Sequence, residues 1–263
     1  MPRKTKPLRS DIAWSTPDRI SVRGRSLPDE LLGKISLGDM AYLLIVGRMP
    51  TPQESTVFNA IAVTLVEHGI TPSALAARIT YAGAPESLQA AVAAGLCGLG
   101  TVFVGSTEGT AKMLYEALPP GTKGANLEQI AREVVAGYRQ RGQIVPGLGH
   151  PLHKPVDPRA PRLFRIAEEN GFSGDYVRLE QLICAEAERT TGKVLPVNAT
   201  GAIGAICCEL GLPWKIVRGV GVFARAIGLV GHILEESNNP MAVEIWQRVE
   251  DEATAHIRPG AGA

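Results

Sequence analysis

Apolar residues that recur every three or four positions, over stretches too long for strands, constrain this chain more than any other feature. Residues 52–68 set Phe58, Ile61 and Leu65 on one helical face; residues 127–139 align Leu127, Ile130, Val134 and Tyr138; residues 220–236 align Phe223, Ile227, Val230 and Leu234. A strand, whose side chains alternate between two faces, cannot gather such a set on one side. Alternating patterns are scarce. Aromatic residues make up only 5% of the chain, and segments such as SLQAAVAAGLCGLG (87–100) carry the small residues that let helices approach closely. The pattern predicts an all-α fold. Proline and glycine break it at LPPGTKGAN (118–126) and at GLGHPLHKPVDPRAPR (147–162).

The 263 residues suffice for one large domain or two smaller ones. A net charge of +1 argues against a nucleic-acid or acidic-membrane partner. The basic start (Arg3, Lys4, Lys6, Arg9) reads as a solvated terminus. No unbroken apolar run reaches the roughly 18 to 20 residues of a membrane span, and no signal peptide is visible. Cys97, Cys184, Cys207 and Cys208 lack metal-ligand spacing, and the last two fall in an apolar, helical run. A reducing, cytoplasmic location is the expectation. No metal site is expected either: His153 follows His150 by three residues, but no carboxylate or cysteine cluster completes a ligand set.

Five features carry chemistry. His150 sits in a loop between Gly149 and Pro151, and Arg159 follows Asp157 and Pro158 in the same loop. Arg225 lies inside the apolar run GVGVFARAIGLVGH, where a guanidinium needs an anion from the protein or from a ligand. His68 falls at a helix end, and LPVNATGAIGAICCELGLP opens a helix with small residues that permit close backbone approach. Two arginines and two histidines in mainly apolar segments point to a pocket for a multiply charged carboxylate.

Over roughly residues 20–250 these pieces occur in the order and spacing of a known family. VPGLGHPLHKPVDPR is similar to GFGHRVYKNYDPR, with the arginine nine positions after the histidine in both. EHGITPSALAARITYAG is similar to a segment that begins Asp-His and carries a serine at the place of Ser73. NATGAIGAICCELGLP is similar to NVDFYSGIVLRALGIP, and GVFARAIGLVGHILEE to LFALGRTPGWLAHWLEQ. The chain resembles the citrate synthase and citryl-CoA lyase superfamily.

The resemblance implies a two-domain helical fold and a homodimer or higher homo-oligomer. It divides the chain into an N-terminal arm (1–20), a large domain (21–103 and 212–263) and a small domain (104–211). It implies that His68, His150, Arg159 and Arg225 hold the carboxylates and the hydroxyl or keto oxygen of citrate or oxaloacetate. Val145, Pro146, Gly147, Leu148 and Gly149 would face coenzyme A, with Lys154 near a phosphate, and Arg248 would come from the partner subunit. Coenzyme A would be part of the substrate; no tightly bound cofactor is implied.

Two positions depart from the pattern. The family's coenzyme-side histidine is replaced by Phe103, as in the lyase portion of ATP-citrate lyase, and its catalytic aspartate by Thr200. Threonine is no base near neutral pH, and phenylalanine donates no hydrogen bond. Condensation of acetyl-CoA with oxaloacetate needs both functions. Cleavage of a 3-hydroxyacyl-CoA first needs removal of a hydroxyl proton, for which His150 is the expected group, with water or Thr200 relaying a proton to the enolate and Glu108 as an alternative acid. The expected activity is that of a citryl-CoA lyase. Citrate synthase and a non-catalytic coenzyme A or carboxylate binder are the alternatives.

Overall fold

The structure, a computed structural model, describes residues 7–150 and 152–258. Arg3, Lys4, Lys6 and Pro151 lie outside the described residues. Eleven α-helices carry the described fold: α1 (Leu37–Val46), α2 (Pro52–Val66), α3 (Pro72–Gly83), α4 (Leu88–Cys97), α5 (Gly105–Ala117), α6 (Leu127–Gln140), α7 (Arg159–Glu169), α8 (Asp175–Thr191), α9 (Ala199–Glu209), α10 (Trp214–Asn238) and α11 (Ala242–Thr254). The helical expectation holds. It lacked one feature, a three-stranded antiparallel sheet of β1 (Ala13–Ser15), β2 (Ile20–Val22) and β3 (Arg25–Ser26). Strands of two and three residues are too short to show an alternating pattern.

Local signals set the helix starts. Ser36 with Asp39, and Thr51 with Glu54, form reciprocal capping boxes at α1 and α2. Asn198 caps α9 by accepting from the backbone N–H groups of Thr200 and Gly201.

α9 is the central helix. Ala199 and residues 201–208 are all buried, and each fully buried isoleucine contributes about 1.5–3 kcal/mol. Its glycines explain how α5 comes so near: a Cβ at Gly204 would lie 2.6 Å from Cβ of Thr110. The main core runs from Tyr42 and Phe58 through Leu114, Leu179 and Ile203 to Ala224.

α10 begins six residues before the expected segment, at Trp214. At 25 residues it is long and apolar enough, by length and composition, to cross a membrane, which corrects the sequence expectation. An unbroken-run criterion missed it because Lys215, Arg218, Arg225 and His232 interrupt the apolar sequence. Val217, Val220, Ala224, Leu229 and Ile233 are buried within the protein, as expected of a core helix.

Candidate active site

A cavity of about 670 Å³ opens where the end of α2, the start of α5, the 145–150 loop, the start of α9 and the middle of α10 meet. Its lining includes His68, His150, Arg159, Thr200 and Arg225, together with residues 145–149. Phe103, Ser73 and Glu108 also line it. Two expected residues stand apart from this wall. Lys154 lines a second cavity that shares Gly149 and His150 and adds Lys193. Arg248 projects from α11 into solvent, paired with Glu244 at 2.7 Å.

The 145–149 loop is held rigidly against the entry to α9. Gly149 N donates to Pro196 O at 2.8 Å, Asn198 N to Gly147 O at 2.9 Å, and Asn198 Nδ2 to Gly149 O at 2.7 Å. Gly147 is required twice over. Its φ of +85° is in the left-handed region, and a Cβ there would lie 2.6 Å from Gly201 Cα. Behind the loop lies Glu180, wholly buried with no hydrogen-bond partner among the described residues for either carboxyl oxygen, and burial pushes its pKa up to about 8.

The two arginines differ in their partners. Arg159 Nε and Nη2 donate to Asp157 at 2.9 and 2.8 Å. Asp157 also accepts from Ala199 N at 2.9 Å, which ties the loop to α9. Burial would raise the Asp157 pKa, but the Arg159 guanidinium and these N–H groups hold it at about 2. Arg225 is 6% exposed, and its Nε and Nη1 have no hydrogen-bond partner among the described residues. The nearby carboxylate, Glu67, stands 3.8 Å from Nη1. Glu67 is occupied elsewhere, accepting from His68 N at 2.8 Å and Gly69 N at 2.6 Å. His232 Nε2 lies 3.1 Å from the same oxygen, while its Nδ1 accepts from Arg78 Nε at 3.2 Å.

His150 Nδ1 accepts the backbone N–H groups of Leu152 and His153 at 3.1 and 3.0 Å. Its neutral ring therefore carries the proton on Nε2 and offers a donor. This differs from the sequence expectation that His150 takes a proton: the turn that follows it occupies the basic nitrogen. Burial, followed by the neighbouring His153, lowers the His150 pKa; burial, followed by Arg159, lowers that of His68. His68 Nε2 lies 3.4 Å from His153 Nε2.

The third imidazole that the sequence lacked for a metal set is thus His68, and ligand atoms of His68, His150 and His153 lie within 4.8 Å of one another. The set is not arranged for a metal. His150 and His153 stack at 4.4 Å with planes 28° apart, whereas a metal must lie near the plane of every ring that binds it, and the His150 lone pair is already in use.

Opposite the arginines, Ser106 Oγ donates to Thr200 Oγ1 at 2.8 Å, and Thr200 Oγ1 to Asn198 Oδ1 at 2.6 Å. This chain has a fixed direction, because Asn198 Oδ1 can only accept. The expected relay by Thr200 therefore has its proton committed, and Glu108 is engaged with Arg218 at 2.7 Å. Asp157, Glu67, Ser106 and Asn198 were not singled out from the sequence. The two acids adjoin residues that were, Asp157 in the Asp-Pro-Arg run and Glu67 beside His68.

A solved structure of citryl-CoA lyase from Hydrogenobacter thermophilus is similar over 88% of this chain and 87% of its own, with 32% identity and a TM-score of 0.79. A mutant of ATP citrate lyase from Methanosaeta concilii, solved with (3S)-citryl-CoA, shares the fold over 90% of this chain and 40% of its own, at 22% identity and a TM-score of 0.74. The beta chain protein 2 of ATP-citrate synthase from Arabidopsis thaliana is 29% identical over 234 residues, 81% of this chain and 37% of the relative. The chain spans 39% to 63% of the length of curated relatives such as a probable ATP-citrate synthase from Dictyostelium discoideum and a putative citrate synthase 2 from Mycobacterium bovis. A family model described as the citrate synthase C-terminal domain matches residues 39–248, which include every cavity residue discussed above, and the chain belongs to the citrate synthase family.

Proposed function

We propose that the chain is a lyase of the citryl-CoA type, cleaving a 3-hydroxyacyl-CoA into acetyl-CoA and a 2-oxo acid. The observation that carries this reading is Arg225. A nearly buried guanidinium with two unpartnered nitrogens is costly unless an anion from outside completes it. Beside it in the cavity stand Arg159, His68 and His150, a group suited to a small polycarboxylate. The rigid 145–149 loop supplies a wall for the coenzyme A chain, and Lys154 with Lys193 in the adjoining cavity suits its phosphates.

In the cleavage, the substrate hydroxyl loses its proton and becomes a carbonyl. The carbon–carbon bond breaks, its electron pair moves into the thioester enolate, and water protonates the enolate carbon to give acetyl-CoA. His150 Nε2–H donates to the oxygen as negative charge develops on it, and Arg225 and Arg159 hold the carboxylates. Condensation would need a base for the acetyl methyl proton, and Thr200 cannot serve. Thr200 and Phe103 also keep the second reading, a coenzyme A binder without turnover.

A panel of 3-hydroxyacyl-CoA thioesters assayed for acetyl-CoA release tests the proposal. Citryl-CoA should be cleaved, and condensation of acetyl-CoA with oxaloacetate should be at least about a hundredfold slower than in relatives with a carboxylate at position 200. Binding of these thioesters without release of acetyl-CoA from any of them would establish the binder instead.

A further inference from the structure

We propose that His153 is a positioning residue that acts through His68: paired with it, His153 enables His68 to accept the hydroxyl proton of the substrate. The inference rests on the lyase reading, and it answers a question that reading leaves open. Cleavage needs a basic atom in the cavity, and the expected atoms are engaged. His150 Nδ1 is occupied by two backbone N–H groups. Asp157 is bound by Arg159 and Ala199, and Glu108 by Arg218. Glu67 accepts two backbone N–H groups and faces His232. The Thr200 proton is committed to Asn198.

Two imidazole nitrogens that face each other at 3.4 Å share one proton: one donates and the other accepts. The rings stand at 83°, an edge-on arrangement that lets the proton lie between them. With His68 Nε2–H donating to His153 Nε2, the lone pair on His68 Nδ1 takes the proton from the substrate oxygen, and His153 spreads the charge over two rings. His150 lies against both, 4.4 Å from His153 and 5.9 Å from His68 by ring centroids, with Nε2–H free to hold the oxygen that is losing its proton. Atoms and electrons balance: the O–H pair becomes the carbonyl bond, the broken carbon–carbon pair becomes the enolate, and the proton leaves the histidine pair for solvent as water protonates the enolate carbon.

The charged groups around the pair oppose one another. Arg159 and Arg225 disfavour a second positive charge, while Asp157 beside Arg159 and Glu67 beside Arg225 offset it. His153 occupies the place of a tyrosine in the motif GFGHRVYKNYDPR, so the pair is a feature of this chain.

His153→Gln keeps a side chain able to accept a hydrogen bond from His68 but not to take a proton. It should lower kcat for citryl-CoA cleavage at least about tenfold, the low end for a proton acceptor, with KM within threefold, and should displace the acid limb of the pH profile. A kcat within threefold of the unmodified protein and an unchanged profile would overturn the assignment. A second measurement needs no turnover: histidine side-chain NMR on the unmodified protein, followed from pH 5 to 9. His68 and His153 should titrate as a coupled pair in two steps. Independent single-step curves would overturn the pairing. Coupled titration in a protein that cleaves no thioester would preserve the pair and remove the lyase reading, so the two failures are distinguishable.

Discussion

Arg225 sits where it costs the protein stability. Its guanidinium is buried in α10 with Nε and Nη1 unpartnered, so the ligand-free protein bears a cost that an anion removes. Arg225→Met should raise the melting temperature of the ligand-free protein, by about 2 °C or more, and weaken citrate binding at least about thirtyfold, as expected for loss of one desolvated charge partner. Calorimetry on the two proteins reads both effects; unchanged citrate affinity would show that the anion binds elsewhere. Thr200 offers the complementary gain. Thr200→Asp would place a carboxylate at the amino end of α9, within reach of the Ser106 hydroxyl, and should raise condensation of acetyl-CoA with oxaloacetate at least about tenfold. A variant that folds normally and gains nothing would show that this position does not face the thioester. His68, His150, Arg159, Thr200 and Arg225 were legible before the structure because the motif spacing matched a known pattern. Their supports were not. Arg78 and His232 are 154 residues apart and His232 and Glu67 165, and no local pattern announces such pairs. The His150 tautomer was equally hidden, since it depends on how the backbone turns after the ring.

Among the elements, the crossing of α5, α8 and α9 hides an uncharged acid. Glu180 on α8 faces Gly147 and Gly201, and its carboxyl keeps its proton to about pH 8 against an ordinary value of 4.5. The unfolded chain releases that proton near the ordinary value. The stabilising effect is therefore fully present below about pH 4.5 and is lost as pH rises toward 8. Glu180→Gln removes the ionisation, so its melting temperature should gain on the unmodified protein between pH 5 and 8, reaching at least about 2 °C by pH 8. Parallel melting curves at the two pH values would place a partner or solvent beside this carboxyl. The helices themselves were legible wherever one face was apolar and the other polar, as in α2 and α6. The first turns of α10 were missed because Lys215, Arg218 and Gly219 dilute its pattern, and α9, apolar on every side, was read as a helix from its composition and not from periodicity.

At the scale of the whole molecule, large apolar side chains are left in solvent. Ile227, Val230 and Leu234 on α10 and Val243, Trp246 and Val249 on α11 are between 46% and 64% exposed, the kind of surface that marks interfaces when it is contiguous. A two-fold dimer covering more than roughly 1,600 Å² is the expected assembly, and the resemblance assigns Arg248 to the cavity of the partner subunit. Sedimentation at micromolar concentration should give the dimer mass; a monomer would leave Arg248 without a role. The proposed function depends on the cavity cleaving a coenzyme A thioester with His150 as donor to the reacting oxygen. The most direct test is acetyl-CoA release from citryl-CoA, measured at neutral pH for the unmodified protein and for His150→Ala. The account predicts equal amounts of acetyl-CoA and oxaloacetate from the unmodified protein and a rate at least about a hundredfold lower in the variant, with coenzyme A binding retained. No release above the uncatalysed rate, or an equal rate in both proteins, would contradict it.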